Sequence, residues 1–285
     1  MAGSSRYWPS WLLLIGLGSR LAVADEGPGL LAGQVYADRA GEELLADVYV
    51  PAGAGPFPAV LCVHGGAWTF GNRLQMLGAA TALRQAGYVA VSIDYRLAPQ
   101  HVFPAQLDDC REALGWLRGN AARFKIDPRR IAAWGYSAGG QLVTLMALSE
   151  TPSKPGSKGP ERIKAIVAGG TPTDFRQIPP DSRRLAFWLG GTRRGRPEAY
   201  QASSPIDFVT PDDPPVFLYH GELDRVVSID EPKAMFDRLR TAGVTAEMYV
   251  VPQAGHVGAF FDGEAIRRGI GFLDKHVKGT QRPKT

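Results

Sequence analysis

Trp134-Gly135-Tyr136-Ser137-Ala138-Gly139-Gly140 lies between a short apolar run, Arg130-Ile131-Ala132-Ala133-Trp134, and the stretch Gln141-Leu142-Val143-Thr144-Leu145-Met146-Ala147-Leu148, which continues without a breaker at helical length. Together they predict a buried strand, a sharp turn and a helix. A nucleophile on such a turn needs glycine at both flanks, because the backbone there is strained and neighbouring side chains would crowd it. Gly135 and Gly139 meet that need. The turn also puts Ser137 at a helix N-terminus, where free N–H groups stabilise developing negative charge. The same five residues also read as a glycine-rich turn with a bystander serine, so the decision passes to the rest of the chain.

Two alternating segments, Leu31–Ala37 and Leu44–Val50, flank a polar turn and predict an antiparallel N-terminal hairpin. Beyond Pro58 the pattern changes to short continuous apolar runs: Ala59–Val63, Val89–Ile93, Ile131–Trp134, Ile163–Ala168, Val216–Tyr219 and Ala246–Val251. Continuous apolarity marks strands covered on both faces, as in a parallel sheet. Helical stretches alternate with them at Met76–Ala86, Gln106–Arg118, Gln141–Ser149, Lys233–Ala242 and Glu264–Val277. The expected fold class is α/β, a mostly parallel central sheet flanked by helices on both faces. Residues 151–160, rich in Pro, Ser, Lys and Gly, read as an exposed loop. The irregular region 171–215, with Phe187, Trp188 and Leu189 in its middle, reads as a partial lid over a site or as a helical side layer.

The 285-residue chain is 45% hydrophobic and 21% charged, the composition of a folded protein with a large core. Arg6 precedes the apolar run Trp11–Gly18, and Ala22-Val23-Ala24 offers small residues for cleavage before Asp25. Residues 1–24 therefore read as a signal peptide and 25–285 as one exported domain, periplasmic or secreted; an uncleaved anchor is the competing reading. No apolar run approaches the roughly 20 residues of a membrane span. Loss of Arg6 and Arg20 would leave 30 basic against 28 acidic residues, a net charge of +2, which gives no sign of a nucleic-acid surface. The two cysteines, Cys62 in an apolar strand and Cys110 in a helical stretch, read as buried unpaired thiols. No spacing resembles a metal site.

In an open parallel sheet, sites gather at the carboxyl ends of strands. His64-Gly65-Gly66-Ala67-Trp68 follows the strand ending at Val63, His220-Gly221-Glu222-Leu223-Asp224 the strand ending at Tyr219, and Ala254-Gly255-His256 the strand ending at Val251. A serine hydroxyl is a weak nucleophile and needs a histidine to take its proton, a carboxylate to hold that histidine, and backbone donors to meet the oxyanion. Ser137, His256 and Asp224 fit these roles, with the N–H groups of Gly65, Gly66 and Ala138 as donors. Glu222 and Asp230 compete with Asp224. His64 is expected to orient its own loop, His220 to cap a strand end, and Asp94 to serve a structural role near Arg96. Trp68 and Tyr136 are candidates to line a substrate pocket.

The glycine-flanked serine, the HGGAW loop, and Asp94-Tyr95-Arg96-Leu97-Ala98-Pro99 followed by Phe103-Pro104-Ala105-Gln106-Leu107-Asp108-Asp109 closely resemble carboxylesterases of the hormone-sensitive-lipase-like group. The resemblance runs from about Leu44 to Val277. It implies the α/β-hydrolase fold, the same triad of Ser137, Asp224 and His256, the choice of Asp224 over Glu222, and hydrolysis of short-chain or aryl carboxylic esters without metal or organic cofactor. Ala67 stands where that group often carries a third glycine, a change that keeps the backbone donor. The segment His220–Val227 looks closer to feruloyl- and acetyl-esterase-like relatives and to prolyl-peptidase-type hydrolases, and kynurenine formamidase-like enzymes carry a similar loop. An amidase, peptidase or arylformamidase is thus the alternative expectation, and a catalytically silent binding module a third.

Overall fold

The computed structural model describes residues 29–39, 41–149 and 162–278. The signal-peptide expectation for residues 1–24 and the loop expectation for 151–160 lie outside the described residues. Eight strands form one sheet in the order β1-β2-β4-β3-β5-β6-β7-β8. β1 (Leu30–Arg39) and β2 (Glu42–Tyr49) make the antiparallel hairpin, and β2 pairs antiparallel with β4 (Val89–Ile93). From β4 onward, through β3 (Phe57–Val63), β5 (Ile126–Tyr136), β6 (Ile166–Gly169), β7 (Val216–Gly221) and β8 (Ala246–Val251), every pairing is parallel.

Both faces of the sheet's centre are buried, which is why β3, β4, β6 and β7 are apolar without alternation. On one face Leu61, Val91, Ala133 and Leu218 pack with residues of α2 (Ala105–Gly119), α3 (Ala138–Leu148), α4 (Ala186–Leu189), α5 (Pro197–Ala202) and α6 (Asp230–Thr241). On the other Val60, Ala90, Trp134 and Phe217 pack with residues of α1 (Leu77–Gln85) and α8 (Gly263–Leu273). Cys62 and Cys110 are both free and buried, and they belong to these opposite cores. Burial pushes the Cys62 thiol up to about 12. No described helix is long and apolar enough to cross a membrane.

Several element bounds differ from the sequence expectation for local reasons. β6 starts at Ile166 rather than Ile163, although Ile163 and Ala165 are buried; burial outside a ladder looks the same in sequence as burial within one. α3 begins at Ala138, because Gly139 and Gly140 lie in its first turn instead of ending the preceding loop. α6 begins at Asp230, where Asp230 and Glu231 complement the positive end of the helix. Asp94 serves a structural role, but its partner is not Arg96: its carboxylate binds the Arg73 guanidinium at 2.7 Å, and Arg73 also binds Asp47 at 2.9 Å. Arg96 instead forks onto the buried Asp109 of α2, with Nη2 at 2.7 Å.

Two features fix the carboxyl end of the sheet. α3 crosses β3 at Gly139, where an added Cβ would lie 2.1 Å from the Val63 carbonyl oxygen and 2.4 Å from that of His64. His64, at the end of β3, is fully buried; its Nδ1–H donates to the Gly65 carbonyl at 2.6 Å, and its ring stacks on Tyr95 at 4.2 Å. Burial pulls the His64 imidazole down to about 4, so it stays neutral.

Gly139→Ala should destabilise the protein by about 1–3 kcal/mol through backbone overpacking, read as a lower urea midpoint at unchanged slope. His64 carries its own pH signature. Its folded-state pKa lies below the ordinary histidine value, so the unfolded chain binds the proton first and stability falls as pH drops from about 6.5 to about 4. His64→Asn should make that fall shallower, by an amount on the order of a few kcal/mol, in denaturant titrations across the same window.

Candidate active site

Ser137 sits between β5 and α3 with φ 53° and ψ −118°, a region that non-glycine residues seldom adopt. Its N–H donates to the Gly169 carbonyl at 2.7 Å and its carbonyl accepts from Gln141 N–H at 3.0 Å, so the strained residue is anchored on both sides. Gly135 is required by the same crossing, since a Cβ there would meet the Gly139 carbonyl oxygen at 2.1 Å.

His256 is the first residue of α7 (His256–Phe260), directly after the β8 turn. Its Nε2 lies 2.9 Å from Ser137 Oγ, and its Nδ1 lies 2.6 Å from Asp224 Oδ2. With Nδ1–H donating to the carboxylate, Nε2 is left to accept the serine proton. The Asp224 side chain is fully buried and its other oxygen accepts the N–H groups of Val226 and Val227 at 2.8 and 3.0 Å. A buried carboxylate held in this way is fixed in orientation toward His256. The competitors are elsewhere. Glu222 accepts from Gln253 N–H at 2.8 Å at the surface, and Asp230 takes the Ser228 hydroxyl at 3.2 Å.

The other histidines also fall into place. His220 is buried next to Asp224, with Nε2 3.0 Å from the Val227 carbonyl and 3.3 Å from Asp224 Oδ2. Burial lowers its pKa, so it bridges the strand end to the Asp224 turn as a neutral group. His64 faces its own loop, and His101 lies against Glu42 at 3.1 Å, on another part of the surface.

The loop after β3 brings Gly65 against the serine: an added Cβ would lie 3.3 Å from Ser137 Cβ and 3.0 Å from the Tyr136 carbonyl oxygen. Gly66, Ala67 and Trp68 all have positive φ, 116°, 48° and 62°, which folds the chain sharply beside Ser137. Ala67 and Ala138 line one cavity with Ser137, and Gly65, Gly66 and Ala67 line a second with it. Ala67, which stands in place of a third glycine and keeps its backbone N–H, borders both cavities.

Trp68 and Tyr136 each do two things. Trp68 lines a cavity of about 230 Å³ with Ser137, Phe175 and Phe187, while its indole stacks on Trp188 at 3.6 Å and its Nε1–H donates to Gln141 at 3.1 Å. Trp188 is fully buried and donates to Gln106 at 3.1 Å, so the middle of the 171–215 region is pinned to the core on one side and walls a cavity with the other. Tyr136 lines the second cavity, of about 430 Å³, and its hydroxyl donates to the His256 carbonyl. That bond ties the end of β5 to the start of α7. Sequence reading missed the apolar residues that complete the second cavity, Phe70, Val226, Val257 and Phe261, because isolated exposed apolar side chains carry no periodic signal.

The BD-FAE family model matches residues 46–239, a span that holds Ser137 and Asp224 and stops short of His256. Esterase LipC of Mycobacterium tuberculosis is 33% identical over 220 residues, which cover 73% of this chain and 55% of LipC. The chain spans about half the length of that relative and of the similar M. tuberculosis proteins LipM and LipQ, 48% and 54% respectively. Among solved structures, a truncated carbohydrate esterase from gut microbiota superposes with a TM-score of 0.78 at 25% identity, covering 87% of this chain and 96% of that one. Butyrate-bound esterase 2 of Thermogutta terrifontis gives a TM-score of 0.74 at 24% identity, covering 90% and 97%, and supports the fold. The chain belongs to the BD-FAE family and carries the α/β-hydrolase fold, in keeping with its resemblance to the hormone-sensitive-lipase-like carboxylesterases.

Proposed function

We propose that this protein is a serine hydrolase of carboxylic esters, acting on short-chain or aryl esters through an acyl-enzyme. The observation that carries the reading is the chain of hydrogen bonds from Ser137 through His256 to Asp224, at 2.9 and 2.6 Å, opening into two cavities. The names of its relatives, esterases in each case described above, support the same reaction class.

In this reading Ser137 Oγ attacks the ester carbonyl carbon while His256 Nε2 takes the hydroxyl proton. The imidazolium that forms is stabilised by the Asp224 carboxylate. The carbonyl oxygen, now negative, is met by backbone N–H groups of Gly65, Gly66 and Ala138, with Ala67 beside them, at the N-terminus of α3. Collapse of the tetrahedral intermediate breaks the bond to the alcohol oxygen, which leaves with the proton from His256. Water then repeats the sequence: His256 takes its proton, its oxygen attacks the acyl carbon, and Ser137 recovers its hydroxyl as the acid departs. The 171–189 segment, whose Phe175, Leu185 and Phe187 border Ser137, acts as a partial lid.

Export is a second part of the proposal, resting on Arg6, the apolar run Trp11–Gly18 and Ala22-Val23-Ala24.

Ser137→Ala should lower kcat for a short-chain aryl ester on the order of 10⁶-fold at an unchanged unfolding midpoint, and near-normal turnover would sink the assignment. Asp224→Asn should cost about 10⁴-fold in kcat by leaving His256 in the wrong tautomer. N-terminal sequencing of the protein recovered from outside the cytoplasm should begin at Asp25; a protein retained inside with residues 1–24 intact would contradict export.

A further inference from the structure

The two cavities meet at Ser137, and the route of the proton decides which half of an ester each one can hold. Both are bordered by Ala67, Ser137 and Val226, but only the larger, of about 430 Å³, is lined by His256; the smaller, of about 230 Å³, is not. When the tetrahedral intermediate breaks down, the departing oxygen must take its proton from His256 Nε2, and so must lie within hydrogen-bond reach of it. The alcohol half attached to that oxygen therefore leaves Ser137 on the His256 side. The other substituent of the carbonyl carbon, the acyl chain, is directed away from His256, toward Trp68 and Phe187.

The walls of the two cavities differ in kind. The His256-side cavity is open and bordered by Phe261, Val257, Phe70 and Val226, which are 72%, 67%, 60% and 56% exposed. Among the described residues, no Lys, Arg, Asp or Glu lines it. Exposed apolar surface gathered at one mouth gains from being covered. The smaller cavity is walled by Phe187, Leu185 and Phe175 against Trp68, whose stack on Trp188 fixes its floor, and it also carries the charged side chains of Asp174, Arg184 and Glu231 on its lining. Trp68, Phe175 and Trp188 brace one another through ring contacts, and a wall held in this way yields little to a longer chain.

We propose that the His256-side cavity receives an apolar alkyl or aryl alcohol half, with Phe261 as its specificity-determining side chain. The cavity beneath Phe187 receives the acyl half, with Phe187 setting the permitted length. This inference rests on the esterase reading above and assigns each half of the substrate a place within it.

The halves separate experimentally when one is varied and the other held. Two series are measured with purified protein: butyrate esters of ethanol, hexanol and phenol, and p-nitrophenyl esters of acetate, butyrate, octanoate and dodecanoate. Phe261→Ser should lower kcat/KM for hexyl and phenyl butyrate by about 10-fold relative to ethyl butyrate, and leave the acyl-length profile in its wild-type shape. Phe187→Ala should raise octanoate over butyrate by about 10-fold and leave the alcohol ranking unchanged. Phe187→Leu gives the same comparison with a smaller loss of packing, should the alanine variant not fold. A crossed result, with Phe261→Ser reshaping the acyl profile or Phe187→Ala reordering the alcohols, overturns the assignment, as does a result in which neither folded variant moves either profile. Wild-type protein inert toward every ester in both series would overturn the esterase reading itself, an outcome distinct from active protein with crossed selectivity.

Discussion

The contact on which the site depends is between two pieces of backbone. α3 approaches β3 so closely that Gly139 has no room for a Cβ against the Val63 and His64 carbonyls, and Gly135 has none against Gly139. That approach holds Ser137 at positive φ, with its N–H on Gly169 of the neighbouring strand. It also brings the loop after β3 against the serine, because Gly65 has almost no clearance from Ser137 Cβ. The positions of Ser137 and of the flanking backbone N–H groups are thus set by main-chain packing, which tolerates little adjustment.

Side chains hold what the backbone does not. Trp68 joins the donor loop to Trp188 by stacking and to α3 through Gln141, and Gln141 reaches on to the Ser203 carbonyl at 2.7 Å. Tyr136 reaches from the strand before Ser137 to the carbonyl of His256. His220 spans Asp224 and the Val227 carbonyl. Tyr136 and His220 each touch one member of the Ser137–His256–Asp224 set, and Trp68 braces the loop beside Ser137. Burial keeps His64 and His220 neutral, while His256 retains a partly exposed ring.

Much of the fold was legible because burial on both sheet faces writes continuous apolar runs into β3, β4, β5 and β7. The site was legible because glycines and reactive residues fall together just past strand ends. What escaped were pairings made across the fold. Asp94 stands two residues from Arg96, yet its carboxylate meets Arg73, whose backbone comes alongside the end of β4, while Arg96 reaches Asp109 on α2. Trp188, in the middle of the region read as a lid or a side layer, is a fully buried brace, whereas its neighbour Phe187 faces the cavity. Phe261 and Val257 follow His256 in sequence, but only the turn into α7 places them at the mouth beside Phe70.

The central claim is that Ser137 is a nucleophile made reactive by His256. Mass spectrometry of the folded protein after exposure to a fluorophosphonate tests it most directly. The account predicts one covalent adduct, on the peptide that carries Ser137, and strongly slowed labelling in His256→Ala. An unlabelled Ser137 in folded wild-type protein, or labelling at an undiminished rate without His256, would contradict it.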